Sequence, residues 1–585
     1  MVRACAFFMP RLHDVGEYKL KAMSKMKLEQ ISLFVKKITL LMAGISIVMS
    51  SVLLFGCDKQ RDEPERVSVQ DNSFSKMLIG SWMRNVDNGY VVLTFESNQT
   101  ITIVQKVNNI KEEKNGRYSF DSDKMQLTTS IKDWEVCSLT SITDNGLVLN
   151  GNQYFRTTSS VLEEEDPYPV AKEFKGNGTK SSPYLISDAS ELRKLAKDVE
   201  NGNSYSGKYF KMTNDITINK NVLTDDGELN GDGSNFELWF PIGYSISISY
   251  KTKEFSGNFD GDGHKISGVY IHFEELRDIE YLALFGYVKN ASISNLILVD
   301  SYIHGKGDKD LKYINHGTSG IVGTADGFVE INNCHNYATI IQEDYYNGSA
   351  AGILAYFKFG SGGSIINCTN HGKITADYVF GITDGCDDCV IDMCVNYGNL
   401  IGYEVYGIAG GGKMRNCVNI GDMSANIVIG IGSLYSDDCP TIYNSCNMGK
   451  LEGKDIMGIM WYITGYNNPA PKIINCLNMG TYSGGMNTVY GIVGKYENVL
   501  VMKNNYCLTI PGVDMELLGS SVIVDKTKNG VQENNRFVSE DEIKSQAFLN
   551  ELNANAIELE KETGIKMNRW KTSKNGYPIL DFIEE

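Results

Sequence analysis

The chain has 585 residues, of which 42% are hydrophobic and only 11 are proline, so its composition is that of a folded rather than a disordered protein. Its length exceeds what one compact core normally supports, which predicts several domains or an elongated repeat array. The formal net charge of −17 argues against nucleic acid as a partner, because binding to phosphates needs clustered Lys and Arg.

The amino-terminal region has the pattern of an export signal. Lys36 and Lys37 precede a mostly apolar run from Ile38 to Phe55, which is followed by Gly56 and Cys57. A basic segment, an apolar segment and a small residue before the cleavage point are typical of a secretory signal. The sequence Leu-Phe-Gly-Cys that ends at Cys57 resembles the lipobox of bacterial lipoproteins, which implies cleavage before Cys57 and attachment of lipid to its sulfur. A membrane-spanning helix is the alternative, because the run is just long enough to cross a bilayer.

Residues 1–56 are therefore assigned to a lipoprotein signal peptide, and the part before about Met23 or Met26 is interpreted as an extension upstream of the true start. Residues 57–75 form a charged tether. Its sequence from Asp58 to Glu65 is similar to acidic export signals that place some Gram-negative lipoproteins on the outer face of the outer membrane. The resemblance implies a surface-exposed lipoprotein of the outer membrane, whereas a merely solvated linker is the alternative.

Residues 76–158 have the pattern of a small β domain. Short runs such as Tyr90–Phe95 and Thr100–Val104 alternate apolar and polar residues, and turn signals such as Asn115-Gly116 separate them. This spacing predicts a meander or a small barrel.

Three segments of this domain, Leu78–Trp82, Gly116–Tyr118 and Tyr154–Arg156, resemble bacterial lipocalin-like domains. The resemblance implies a lipocalin-like β-barrel. We expect Trp82 to fill the base of the barrel core, since large aromatic side chains in small β domains are mostly buried. Contact with a small apolar ligand is the alternative role for Trp82.

Residues 159–172 form a charged, Pro-containing linker before the longest domain, residues 173–535. Asp188 and Glu191 have the spacing of a helix capping box, and an apolar stripe follows from Leu192 to Val199. We expect this helix to cover the first unit of a repeat array and to block edge-to-edge pairing of strands.

The long domain contains a repeat in two parts. Its first part is a Gly-Ile pair, which recurs at intervals between 23 and 33 residues. Its second part is Asn-Cys-x-Asn-x-Gly or a close variant. A repeat of this length indicates stacked units, none of which can bury its apolar face alone. The Gly-Ile pairs begin at Gly320, Gly352, Gly381, Gly407, Gly430, Gly458 and Gly491.

The repeat and the segments before it, such as Phe255–Ile266 and Ser319–Gly323, resemble bacterial surface proteins with GLUG repeats, which also occur in some immunoglobulin-A peptidases. The resemblance spans roughly residues 173–510. It implies a right-handed parallel β-helix. The fold class expected for the whole chain is thus all-β, with a small lipocalin-like domain, a β-helix and short helical caps.

The repeat also predicts which side chains build each coil. An apolar residue three positions before the Cys and the Cys itself can both point inward only if the chain turns a corner between them. Asn two positions after the Cys tolerates turn conformations, and stacked Asn side chains could form a hydrogen-bonded ladder. The structural ladder predicted from the repeat comprises Cys334, Cys368, Cys394, Cys417 and Cys476 with Asn336, Asn370, Asn396, Asn419, Asn447 and Asn478.

Ser445 replaces the Cys in one unit, which favours a small buried residue at this position over a disulfide or metal ligand. After the array, residues 536–585 change to a helical pattern and are expected to cap the open end of the stack.

Known catalytic motifs are missing from the sequence, including His-Glu-x-x-His, Gly-x-Ser-x-Gly and the phosphate-binding loop. Three acidic or Cys-containing clusters remain as weaker alternatives. Residues 386–389 (Cys-Asp-Asp-Cys) have a zinc-like gap, and residues 260–264 offer oxygen ligands for calcium. Asp437 and Asp438 could act as paired carboxylates on a glycoside. Neither a cofactor, a metal site nor a catalytic residue is predicted.

The sequence leaves open whether the protein is an enzyme and favours a non-catalytic role. The preferred hypothesis is a lipid-anchored cell-surface protein that acts in adhesion, or binds a glycan or a protein on another surface, through its β-helix. A polysaccharide-active β-helix enzyme and a small-ligand carrier built on the lipocalin-like domain are the alternatives. Its predicted partners are outer-membrane lipid, through acylated Cys57, and a ligand on another surface.

Overall fold

The computed structural model describes residues 76–86, 89–107, 110–122, 124–143, 146–157, 168–246, 251–273, 279–307, 317–343, 348–385, 388–433, 441–461, 471–494, 500–519 and 531–584. The predicted signal peptide, Cys57 and the tether lie outside these residues. The chain forms two units, residues 1–78 with 120–124 and residues 79–119 with 125–585. The first unit is described only at residues 76–78, 120–122 and 124.

The early β domain is a closed antiparallel barrel of eight strands. The first strand pairs with the second, Gly80 opposite Phe95, and also with the eighth, Ser81 opposite Thr157. The third strand shows the expected alternation, since Ile101 and Ile103 are buried while Thr102 between them is not. The strands are Gly80–Val86, Gly89–Phe95, Thr100–Val107, Ile110–Asp121, Gln126–Thr129, Val136–Ile142, Gly146–Leu149 and Asn152–Thr157.

The long domain is a parallel β-helix with three long sheets, each of which receives a strand from successive coils. Its core is one continuous cluster of buried apolar side chains that extends from Ile186 to Cys507. The strands of the first sheet are Tyr184–Ile186, Tyr209–Met212, Asn258–Asp260, Ser292–Ser294, Phe328–Asn332, Gly362–Ile366, Asp388–Asp392, Lys413–Arg415, Thr441–Tyr443, Lys472–Ile474, Val501–Lys503 and Val531–Glu533.

The second sheet follows one corner later and has eleven short strands. Its strands are Ile216–Thr217, Lys265–Ser267, Ile297–Val299, His335–Asn336, Thr369–Asn370, Val395–Asn396, Val418–Asn419, Cys446–Asn447, Leu477–Asn478, Tyr506–Leu508 and Arg536–Val538.

The third sheet is the widest and bends within each coil. Its main strands are Tyr270–Phe273, Tyr302–Lys306, Thr339–Glu343, Ile374–Phe380, Leu400–Tyr406, Ile427–Ile429, Asp455–Met457, Thr488–Val493 and Glu516–Leu518. Shorter strands join it at Tyr281–Leu282, Gly317–Ser319, Ser349–Ala351, Met423–Ser424, Lys450–Glu452 and Thr481–Ser483. A small parallel sheet continues it with Phe285–Lys289, Val322–Asp326 and Leu354–Phe357, and Tyr244–Ile246 pairs with Lys251–Lys253 as a hairpin.

Six of the seven Gly-Ile pairs directly follow a strand of the third sheet, and the seventh, at Gly491, lies within the strand Thr488–Val493. Ile408 and Ile431, like the other Ile residues of these pairs, are fully buried in the core. A side chain at Gly407 would place its Cβ 2.1 Å from the backbone oxygen of Gly430 in the next coil. Glycine therefore recurs because the coils approach too closely for any Cβ, and isoleucine recurs because it fills the interior.

A helix, Ala189–Glu200, stands at the start of the array. Asp188 accepts hydrogen bonds from the backbone N–H groups of Ser190 and Glu191, at 2.8 and 3.2 Å, so the predicted cap is present. Leu192, Leu195 and Val199 join the same core as the first coil. The helix thus covers the apolar interior at this end of the stack.

The carboxyl-terminal segment has the helices Glu540–Ile543 and Gln546–Thr563 and the hairpin Trp570–Thr572 with Pro578–Leu580. Its apolar residues, including Phe548 and Trp570, pack on outward-facing residues of the second sheet such as Val418 and Leu477. The segment expected to cap an end of the stack therefore lies along its side.

Candidate binding site on the β-helix

The repeated Asn residues of the second sheet form a buried column. The side-chain Nδ2 of each donates to Oδ1 of the Asn in the next coil, at 2.8 to 2.9 Å, from Asn336 through to Asn478. All six side chains are fully buried. Because each amide is paired on both sides, these residues stabilise the stack and present no group to a ligand.

The repeated Cys residues form a second buried column beside it. Each is a free thiol in the described structure, and the backbone N–H of Cys334 donates to Sγ of Cys368 at 3.4 Å. Ser445 takes the same place, since its hydroxyl accepts from the backbone N–H of Cys417. Burial raises the pKa of Cys417 to about 12, so this thiol stays protonated and unreactive at neutral pH.

Two features of these columns are not visible in the aligned repeat. Asn505 and Asn535 continue the Cys column, where Asn505 Oδ1 accepts from the backbone N–H of Cys476. Cys507 ends the Asn column as a weak acceptor for Asn478. The pairing register of the strands would have identified both residues. Tyr506 pairs with Leu477 and Cys507 with Asn478, so Asn505 lies beside Cys476.

The corner predicted before each Cys is made by a residue in the left-handed conformation. Asn333 and Asn416 have φ of 54° and 52°, and Met393 adopts 52° in the one repeat without Asn here. Asparagine tolerates this conformation better than most residues. These corner Asn residues also bond coil to coil, and Nδ2 of Asn444, for example, donates to Oδ1 of Asn416 at 2.8 Å. This outer ladder was not predicted from the sequence.

The polar side chains of the candidate calcium loop, residues 260–264, are engaged by other side chains of the protein. Asp260 accepts from Asn295 at 2.8 Å, and Asp262 lies 2.9 Å from the ammonium of Lys211. His264 bonds to Asp215 at 3.0 Å. This loop is one more corner of the stack, and its carboxylates stabilise that corner.

The other two clusters are only partly described. Cys389 points into the core, whereas Cys386 and Asp387 lie outside the described residues, as do Asp437 and Asp438. Within the part of the chain that the structure describes, no group of three or more His, Cys, Asp and Glu side chains could hold a metal ion.

Trp82 lies in the barrel core and is fully buried. The guanidinium of Arg156 stands 4.2 Å from the centre of its ring and donates to the backbone oxygen of Ile79 at 2.9 Å. The ring of Trp82 is thus packed against other protein groups, as is typical of a core residue.

Three rings stack on the outer face of the second sheet. His371 lies 4.2 Å from Tyr337 and 4.6 Å from Tyr397, with nearly parallel planes. Burial, with a smaller contribution from His335, lowers the pKa of His371 to about 4, so the imidazole is neutral at physiological pH. Because the rings face one another, the stack mainly offers ring edges to solvent and provides no broad flat surface.

The third sheet carries an open groove of about 360 Å³ that runs along the stack. Its floor consists of small residues in four successive coils, Gly402, Ala425, Gly453 and Gly484. At Gly453 a Cβ would lie 2.8 Å from the backbone oxygen of Ala425 and 2.9 Å from Cγ2 of Val428. The bend of the sheet thus requires small residues, and their backbone forms the bottom of the groove.

Two rows of side chains make the walls of this groove. Ile401, Ser424 and Glu452 are in register on one side. Asn426 and Lys454 lie on the other side. The backbone N–H of Lys454 donates to the backbone oxygen of Asn426, and that of Asn426 to Tyr403 beside the groove, both at 3.1 Å. Ile401 in the groove and Tyr403 beside it are 39% and 53% exposed. The groove therefore combines apolar and polar groups on a solvent-open surface.

No helix of the described residues is both long and apolar enough to span a membrane.

No family model matches the chain. A stretch of 135 residues, 23% of the chain, is 32% identical to a protein of Evansella cellulosilytica named "Putative Gly-rich membrane protein" and covers 13% of it. A stretch of 164 residues, 28% of the chain, is 27% identical to a protein of Haloquadratum walsbyi named "Halomucin" and covers 2% of it. The chain thus spans a small fraction of the length of these curated relatives.

Among solved structures, one described as "a putative immunoglobulin A1 protease from Bacteroides ovatus" matches 70% of this chain and 95% of its own, at 17% identity and a TM-score of 0.31. Similarities of this extent do not place the chain in a family.

Proposed function

We propose that the chain is a lipid-anchored protein of the cell surface, held in the outer membrane through Cys57, whose β-helix binds an extended ligand on another surface. The groove along the third sheet carries the binding part of the proposal, because it crosses four coils and is lined by groups that solvent reaches. The anchoring part is supported by the lipobox-like sequence before Cys57, and by a relative named as a membrane protein.

A stack of coils suits this role mechanically. Each coil contacts its neighbours through continuous parallel pairing, so the side walls keep a fixed shape along the array. A ligand that follows the wall meets groups at the regular spacing of the strands, about 4.8 Å. The β-helix therefore presents a preformed binding surface that needs no ordering when the ligand arrives.

Anchoring is tested by labelling cells with radioactive palmitate. We expect label on the parent chain and none on the Cys57→Ala variant, since the lipid is attached to that sulfur. Protease added to intact cells should remove the β-helix from the parent. Label that survives Cys57→Ala, or a β-helix that resists protease until the cells are broken, contradicts the anchor or the surface location respectively.

A further inference from the structure

We infer that the groove takes a linear, uncharged glycan whose chain runs along the stack of coils, an inference that rests on the proposed function. The four floor residues lie in consecutive coils, so the groove is about 14 Å long at the usual strand spacing. It is bounded by a row of side chains on each side. An elongated ligand fits this shape better than a compact one.

Two backbone N–H groups of the groove floor are not free to pair with a peptide strand. The N–H of Ala425 donates to Glu452 and that of Gly453 donates to Ser483, at 3.0 and 3.2 Å, so both are used within the stack. A peptide that adds a strand needs the free backbone groups of a sheet edge. The other common peptide modes need an apolar or an aromatic-lined groove, whereas none of the described residues that line this groove is aromatic.

The side chains of the groove suit the hydroxyl groups of a sugar. Ser424, Asn426 and Lys454 make no side-chain hydrogen bond or ion pair within the described residues, although all three line the groove. They supply a hydroxyl, an amide and an ammonium group, which together donate and accept hydrogen bonds. Tyr403 follows the lining residue Gly402 in the chain and has an exposed ring, so it adds an apolar surface with a polar end beside the groove.

The charges near the groove favour an uncharged chain. Glu452 pairs with Lys450 at 2.9 Å, which leaves Lys454 as a single ammonium group in the walls. Asp455 stands next to it and accepts a hydrogen bond from Thr488. A polyanion needs several clustered cations, and the chain as a whole carries −17. Acidic glycans are therefore poor ligands here.

Gly485 gives a direct way to block the groove. It lines the groove, no other atom lies within 4 Å of a Cβ built there, and its φ is not in the left-handed region. Gly485→Trp should therefore fill the groove without strain in the stack. Ser181→Trp, which places the same side chain at an exposed position outside the groove, is the matched control.

The experiment measures binding of the full chain carrying Cys57→Ser to an array of linear neutral, branched neutral and acidic polysaccharides. We expect binding to linear neutral members, at least a tenfold loss for Gly485→Trp and no change for Ser181→Trp. The double variant Asn426→Ala with Lys454→Met should lose roughly tenfold, as expected when two hydrogen bonds are removed. Unchanged circular dichroism shows that each variant is folded.

Other outcomes separate the inference from the proposed function. Equal binding by the parent and Gly485→Trp overturns the groove as the site but leaves a surface-binding protein. Binding restricted to acidic or branched glycans overturns the ligand class. If the parent binds no polysaccharide, the inference fails, and binding to intact cells or matrix proteins then decides whether the proposed function survives.

Discussion

At the residue scale, buried polar groups of the β-helix differ in whether they have partners. The ladder Asn residues are fully paired, so their burial costs little. Asp384, which is half-buried as a whole residue, is different, because no hydrogen bond or ion pair reaches its carboxylate within the described residues. It lies beside Gly410 and Phe380, and burial raises its pKa from 3.8 to about 7.

This pKa predicts how stability depends on pH. Between pH 4 and 7 the folded chain keeps the Asp384 proton and the unfolded chain loses it, so the free energy of unfolding falls as pH rises through this window. The loss is at most about 4 kcal/mol. Asp384→Asn should remove it, leaving the variant more stable than the parent at pH 8 but not at pH 4.5, as measured by urea unfolding. Exposed Asp388→Asn is the control, and an equal pH response in parent and Asp384→Asn would contradict the account.

The sequence predicted the inner columns because their residues recur in phase with the coils. The outer ladder was missed because backbone conformation is not written in the repeat, and Met393 interrupts the pattern while keeping the same φ. The groove could not be predicted either. Its walls come from positions that differ in each coil, and only the folded register places Ser424 beside Glu452.

At the scale of elements, the carboxyl-terminal segment was predicted as a helical cap, and its described apolar residues pack on the side of the stack. The position of this segment is explained by the side chains that point outward from the second sheet. Thr369 is polar, but the residues at the same position in later coils, Val395, Val418 and Leu477, are apolar. An outward apolar row needs a cover, and the segment supplies it. Trp570 joins that cover and donates from Nε1 to Oδ1 of Asn444 at 2.8 Å.

Trp570→Ala should therefore loosen the segment from the stack. We expect a loss of about 3–5 kcal/mol in the free energy of unfolding, because a large buried side chain and its hydrogen bond are removed together. Limited proteolysis should then cut between residues 539 and 584 faster than in the parent. Ile557→Ala, on the exposed side of the helix Gln546–Thr563, is the control. A variant that resists protease like this control would show that the cover does not depend on Trp570.

At the scale of the whole molecule, stability comes from repetition, since the stack is held by parallel pairing and one long core, and no disulfide joins its coils within the described residues. All nine described cysteines are buried, and none of them forms a disulfide. The chain has 13 cysteines, and Cys5, Cys57, Cys386 and Cys439 lie outside the described residues.

We predict that the nine thiols are inert until the chain unfolds. In a variant with the four remaining cysteines changed to Ser, a thiol reagent should label the protein only in denaturant, and a reducing agent should leave the melting temperature unchanged. Burial raises the pKa of Cys417 and Cys476 to about 12, which removes the reactive thiolate as well as access. Rapid labelling of the native variant, or a melting temperature that falls on reduction, would contradict this view.

The two Asn ladders run in opposite directions. In the inner one each amide donates toward the carboxyl-terminal end of the stack, as from Asn396 to Asn419, while in the outer one Asn475 donates back to Asn444. The amide dipoles of the two rows therefore oppose each other, and their fields largely cancel along the axis. Two runs of the outer ladder end at an aspartate carboxylate. Asp260 accepts a hydrogen bond from Asn295, and Asp392 accepts one from Asn416. Coils can thus be added or removed without a growing charge imbalance between the two ends of the array.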